Sequence, residues 1–413
     1  HTRNLAPWLE FRLFIADVIG RYYIRLPSDW AAEASPDAAI GEFGIYPPNA
    51  DGRNYPVDWS RYARYYGRTT VYPMLRGLVG DYFRCFAPES FHGPWLGYGM
   101  MSMNPAHRTA PWSALFNGAR WAWYWELRMP GQQNYAMATS DQRLTPGYAA
   151  LAAEEAPDLT GGIDRLLYAG RFSDDGIALA YSFPSLLRHP DAVTAWQRDT
   201  LKQIGLQYRF VPMDDIAAGA LIRDDVRLLL AAEPACVSAE QAQAVRAFVE
   251  NGGTFFCMGR PGGYELNGAP ARTNALADLA GIDFAGAEAD NSVADFTWEG
   301  GPATVFLAYR NVRVTDAAVL AAGSVNNAPL PVLTRVRRGK GQVYWLNASF
   351  YSLWKGQGED KGRGYAFNPR LFEAVARAAG IEPRCRFFKD GQPFADYRSE
   401  AWYYRSPSGR SLY

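Results

Sequence analysis

Apolar positions along the first 130 residues fall into two alternating rhythms. From 8 to 26 they recur every third or fourth residue, which predicts a helix. "AAIGEFGIY" (38–46) follows a Ser-Pro-Asp turn and predicts a strand. "WSRYARYY" (59–66) predicts a helix and "TTVYPM" (69–74) a strand. "GLVGDYFRCF" (77–86) is again helical and "GPWLGYG" (93–99) strand-like. "PWSALFNGA" (111–119) then predicts a helix and "RWAWYWEL" (120–127) a strand. Such alternation predicts parallel strands joined by crossover helices. Four such units make half of a (β/α)8 barrel.

Residues 131–173 lack a clear rhythm and are expected to be a linker that carries the chain out of the barrel. From 174 a second α/β pattern begins. "GIALAYSF", "QYRFVP", "VRLLLAAEP" and "TFFCMG" predict strands, separated by helical stretches. Among these, "SAEQAQAVRAFVENGG" starts at an N-capping Ser238 and stops at Gly252-Gly253. The pattern predicts an open, doubly wound sheet that closes with "GQVYWLNASF" and the helix "NPRLFEAVARAAGI". After 381 the rhythm changes: a Lys-Asp-Gly turn between alternating residues predicts β-hairpins. The expected fold class is therefore α/β. Residues 1–130 form the second half of a barrel, 131–173 a linker, 174–381 a doubly wound domain, and 382–413 the start of a small β domain.

Composition narrows the function. Lys+Arg and Asp+Glu both total 42, so there is no basic excess for nucleic acid. No apolar run approaches the ~20 residues of a membrane-spanning helix, so a soluble protein is expected; the compartment is left open, with the cytoplasm favoured. The four cysteines are scattered and the four histidines lie at no metal-ligand spacing, so neither a disulfide framework nor a metal or other cofactor is expected. The chain starts at His1 in what reads as the interior of a domain, and both ends are expected to be truncated. Aromatic residues reach 15% and crowd into the first third, with Trp95, Trp112, Trp121, Trp123 and Trp125. Aromatic faces stack on sugar C–H surfaces, and they equally build large cores.

The order of these phrases resembles the β-galactosidases of glycoside hydrolase family 42. The barrel end "GPWLGYG" and "NGARWAWYWEL" is followed by "DDGIALAYSFPSLLR", "LKQIGLQYRFVPMDDI", "VRLLLAAEP" and "AVRAFVENGGTFFCMG". The resemblance implies that 1–130 is the last half of the catalytic barrel. It also implies that 174–381 is the family's trimerisation domain, an amidotransferase-like module that makes a homotrimer. The implied chemistry is retaining hydrolysis of terminal sugars by two glutamates at the ends of strands four and seven, with a carbohydrate as the partner. On this numbering strand four lies before His1, and strand seven ends at Tyr98, where no glutamate stands. A sugar-binding relative that does not cleave its ligand, or a purely structural oligomerisation unit, is the alternative.

Two carboxylates are the catalytic candidates. Glu126 ends "RWAWYWEL", where Ala122, Tyr124 and Glu126 share a strand face, and active sites in barrels lie at the strands' C-terminal ends. Its alternatives are a ligand to a sugar hydroxyl and a rim carboxylate paired with Arg120 or Arg128. Glu42 lies within "AAIGEFGIY", where an unpaired carboxylate is costly to bury; it either reaches the cavity or pairs with an arginine. Tyr46, Tyr98, His107, Arg108, Trp112 and Trp125 are the candidate sugar contacts. Of these, His107, Arg108 and Trp112 sit on the loop and helix after the third strand, and Arg108 and Trp112 can instead fix that loop. In the second domain, Cys257 lies within a strand rather than on a tight elbow, and no histidine follows His189. That domain is expected to be non-catalytic. "GRPGG" (259–263) lacks the Gly-Lys-Ser/Thr of a phosphate loop.

Overall fold

In a computed structural model the protein is described over residues 4–35, 43–45, 57–65, 68–71, 74–97, 109–125, 143–188, 195–285, 292–325, 328–348, 363–393 and 400–412. Internal contacts divide the chain into two units. The first comprises Ala16–Pro47, Val57–Ser173 and Trp402–Tyr413; the second comprises His1–Ile15, Pro48–Pro56 and Asp174–Ala401. No helix among the described residues is long and apolar enough to cross a membrane.

The first unit holds four strands, β1 (Phe43–Ile45), β2 (Arg68–Val71), β3 (Phe91–Gly97) and β4 (Trp123–Trp125). They lie side by side in chain order, and each neighbouring pair is parallel. Helices Trp59–Tyr65, Met74–Phe86 and Thr109–Phe116 make the crossovers, which is the alternation the apolar rhythm predicts. The first two meet through aromatic rings: Trp59 stacks on Tyr82 at 6.5 Å and meets Phe83 edge-on at 5.9 Å. Between β3 and the approach to β4 there is no room for a side chain. A Cβ on Gly93 would lie 2.0 Å from the Trp121 carbonyl oxygen. The Arg120 N–H donates to the His92 carbonyl at 2.8 Å, and the Trp121 indole donates to the Phe91 carbonyl at 3.2 Å.

Two stretches differ from expectation. Within 131–173, residues 146–169 are helical, ending with the helix Asp164–Ala169, and they belong to the first unit. The strand β5 (Arg171–Phe172) that follows pairs antiparallel with Tyr404–Arg405, which in turn pairs with Ser411–Leu412. Residues 402–412 therefore group with the first unit. The reason is cover for large rings. Trp402 and Tyr404 bury with Leu115 and Leu167, and the Tyr404 hydroxyl donates to the Phe116 carbonyl at 2.7 Å. An isolated hairpin would leave them in water. The predicted hairpin at the Lys-Asp-Gly turn does form, between Phe388–Lys389 and Gln392–Pro393. Asp390 and Gly391 both take positive φ there, as a two-residue type I′ loop requires.

The second unit carries a nine-stranded sheet. Five strands are parallel: β6 (Ile177–Tyr181), β7 (Arg209–Pro212), β8 (Leu228–Ala231), β9 (Thr254–Met258) and, after an insertion, β16 (Gly341–Leu346). Their spatial order is β7-β6-β8-β9-β16. The insertion contributes β10 (Ile282–Phe284), β11 (Ser292–Trp298), β12 (Gly301–Ala308), β13 (Val312–Val314), β14 (Ala318–Val325) and β15 (Ala328–Arg338). Of these, β15, β14, β11 and β12 extend the sheet antiparallel beyond β16, while β10 pairs with β13 apart from it. The predicted sheet lacks this antiparallel half. Side-chain alternation along β9 covers both faces of the parallel part. Phe255 enters the core with Val245 and Phe248 of the helix Ala239–Glu250. Phe256, its neighbour, meets Phe372 of the helix Arg363–Ala378 edge-on at 5.4 Å.

Candidate functional site

Parallel β/α topology gives the first unit two unlike ends. Each crossover helix begins near the C-terminal end of the strand before it, so strand ends and helix starts together form the mouth. The described strands stop at Ile45, Val71, Gly97 and Trp125. Tyr46, Tyr98 and Glu126 come next in sequence after β1, β3 and β4. These three, together with Glu42, His107 and Arg108, lie outside the described residues. Trp125 closes β4 with its backbone in register with Gly97.

Trp112 is described, in the first turn of the helix Thr109–Phe116 and thus at the mouth end. Its indole N–H donates to Glu155 Oε2 at 2.5 Å, and its ring stacks on Phe116 at 6.2 Å. Phe116 stacks in turn on Trp402 at 6.5 Å. With its N–H engaged, Trp112 can offer a ligand ring surface but not that hydrogen bond.

The opposite end holds a polar cluster that the sequence analysis does not single out. Asp81 and Arg84, in the second half of the helix Met74–Phe86, form a buried ion pair at 3.0 Å. The Arg84 guanidinium also lies 3.6 Å from the centre of the Phe172 ring. His92, the second residue of β3, is 2% exposed, stacks on Phe83 at 5.1 Å and shares a hydrogen bond with Ser90 Oγ at 3.2 Å. Burial above all, and then the charges of Arg120 and Arg84, lower the His92 pKa to about 4. The imidazole is therefore neutral at physiological pH. A buried histidine near arginines suggests catalysis on electrostatics alone. Its position at the N-terminal ends of the strands assigns it to stability instead. Only the fold distinguishes the two, because "SFHGPW" carries no signal of its own.

In the second unit Cys257 sits inside β9, fully buried, with Sγ 3.8 Å from the Tyr344 carbonyl. Burial pushes its thiol pKa up, the reverse of what a nucleophile needs. Cys236 is likewise buried, its pKa pushed up to about 12. Among the described residues no three His, Cys, Asp or Glu side chains come close enough to hold a metal ion.

No family model and no curated protein matches the chain. Solved structures do. A GH42 β-galactosidase from G. stearothermophilus, Gan42B, aligns with TM-score 0.75 at 15% identity, covering 98% of this chain and 62% of its own. The β-galactosidase of Bacillus circulans sp. alkalophilus aligns with TM-score 0.71 at 16% identity, covering 96% and 61%. The cold-adapted β-galactosidase of Rahnella sp. R3 aligns with TM-score 0.68 at 14% identity, covering 98% and 64%. The chain thus has the fold of the GH42 β-galactosidases over nearly all its residues, and spans about three fifths of the length of those proteins.

Proposed function

We propose that the chain is part of a glycoside hydrolase of β-galactosidase type that acts on terminal sugars, with the sugar held at the mouth of the first unit. The observation that carries this reading is the succession of two units in one chain. A parallel β/α sheet in chain order is followed by a five-stranded parallel sheet with an antiparallel extension, and the whole aligns with β-galactosidases at TM-scores up to 0.75. In this reading Glu126 and Glu42 supply the carboxylates. Tyr46, Tyr98, His107, Arg108, Trp112 and Trp125 surround the sugar.

One observation favours a second reading. The residue after β3 is Tyr98, where the resemblance implies the nucleophilic glutamate of strand seven. A relative with tyrosine there would bind the sugar without cleaving it. An aryl-β-galactoside assay on the full-length protein separates the two. Hydrolysis in the wild type, with kcat/KM reduced about 100-fold or more in Glu126→Gln or Glu42→Gln, supports the hydrolase. Galactose binding without turnover supports the silent relative. Unchanged activity in both variants removes these two residues from the catalytic list.

A further inference from the structure

Two consecutive helical stretches of the first unit, Ile19–Arg25 and Leu26–Ala34, precede β1. One side of them packs on the crossover helix Trp59–Tyr65. The Tyr62 hydroxyl donates to the Ala16 carbonyl at 3.0 Å, and Ser28 Oγ donates to the Tyr65 carbonyl at 3.3 Å. A Cβ on Gly20 would lie 3.1 Å from the Tyr62 ring. Ile24 shares this side by its spacing and is 2% exposed. A second side carries charge: Arg21 pairs with Asp17 at 2.9 Å and Arg25 with Asp29 at 3.5 Å.

The remaining side is apolar and bare. Tyr22, Leu26 and Trp30 follow one another at four-residue intervals, which sets them on one face, and Tyr23 lies beside them. Tyr22 is 63% exposed, Tyr23 74% and Trp30 59%. A single exposed apolar side chain needs no explanation. Aromatic rings crowded this closely on one face mark an interface. With Ile24 on one side and these rings away from it, the helix has the make-up of one packed between neighbours.

The strand that follows is bare in the same way. β1 pairs with β2, and no strand among the described residues pairs with its other edge. An open edge is a template for a further strand. In a parallel sheet each added strand brings a crossover helix, and that helix lies beside the one already there. The length for such a unit exists in the solved structures that share this fold. The alignment with Gan42B uses 98% of this chain and 62% of that one, so about two fifths of that protein has no counterpart here.

We propose that the face formed by Tyr22, Leu26 and Trp30, with Tyr23, docks a crossover helix of a further β/α unit, whose strand pairs with the free edge of β1. The unit is supplied by the part of the full-length protein outside this chain, and this rests on the reading above that the chain is part of a larger glycoside hydrolase. The docked helix presents an apolar side, since a charge set against these rings would be buried without a partner.

Hydroxyl-radical footprinting of the purified full-length protein, read by mass spectrometry and corrected for the reactivity of each residue type, tests it. The references are Ile222, which is 63% exposed, and Tyr403, which is 1% exposed. The expected result is loss of labelling at Tyr22, Tyr23 and Trp30 to the level of Tyr403. Labelling of these rings at the level of Ile222 overturns the proposal. Protection that disappears on dilution assigns the cover to a second copy of the protein and overturns it too. In parallel, Trp30→Glu is expected to lower the Tm of the full-length protein by about 5 °C or more, with little change in Ile222→Glu. Equal, small shifts in both variants count against a covered face. Turnover of an aryl-β-galactoside by the same preparation keeps the two readings apart. Hydrolysis with fully labelled rings leaves the proposed function standing while the docking face falls. Protected rings without hydrolysis leave the docking face standing while the hydrolase falls.

Discussion

His92 shows how a single residue can carry the signature of a catalytic group while serving the fold. Its pKa lies near 4 because the neutral ring is buried. The sign of its pH effect follows. The unfolded chain takes up the proton first as pH falls, so the contribution of His92 is complete above about pH 6.5 and is lost on descent through about 4, some ~3 kcal/mol in the limit. His92→Gln, which stays neutral, is expected to show a smaller fall in Tm between about pH 7.5 and about 5 than the wild type. An identical fall in both would place the acid sensitivity elsewhere. Its neighbour Gly93 makes a steric prediction. Any Cβ there meets the Trp121 carbonyl, so Gly93→Ala is expected to cost about 1–3 kcal/mol in urea unfolding. A neutral result would mean that β3 and the approach to β4 can move apart.

At the scale of elements, helix starts and stops were legible where a short local signal decides them. Ser238 caps the helix Ala239–Glu250: its Oγ accepts from the Gln241 N–H at 3.2 Å, and the Gln241 side chain accepts from the Ser238 N–H at 3.1 Å. Ser238→Ala is expected to lower stability by about 1 kcal/mol; a change below a few tenths would show that the helix is held by its buried face alone. The insertion 282–338 was not legible, for a physical reason. Its strands lack clean period-two patterning. In β14 Val319 is 47% exposed while Ala321 is buried, and the pairing with β15 shifts register at Val319/Ala321 and Ala321/Ala322. Pro329 and Pro331 within β15 further disguise a strand. The membership of residues 402–412 was hidden too, since β5 and its partner lie more than two hundred residues apart in sequence.

At the scale of the molecule, the parallel β/α order of the first unit follows from the alternation of apolar rhythms, and it defines a mouth and a base. What it does not define is which carboxylate works at the mouth. Residues that reach a ligand are chosen by chemistry, not by burial, and "RWAWYWEL" and "AAIGEFGIY" each offer one glutamate on a strand. The resemblance to a trimerisation domain adds an expectation for assembly: the full-length protein should elute with the mass of a homotrimer in light-scattering chromatography. A monomer at micromolar concentration would separate this chain from that pattern. The account's central claim, that this fold serves glycoside hydrolysis, is tested most directly by turnover of an aryl-β-galactoside by the purified full-length wild-type protein. Release of the aryl alcohol, with kcat/KM cut about 100-fold or more by Glu126→Gln, is the predicted result. No release above the uncatalysed rate, in protein that binds galactose and unfolds cooperatively, would contradict it.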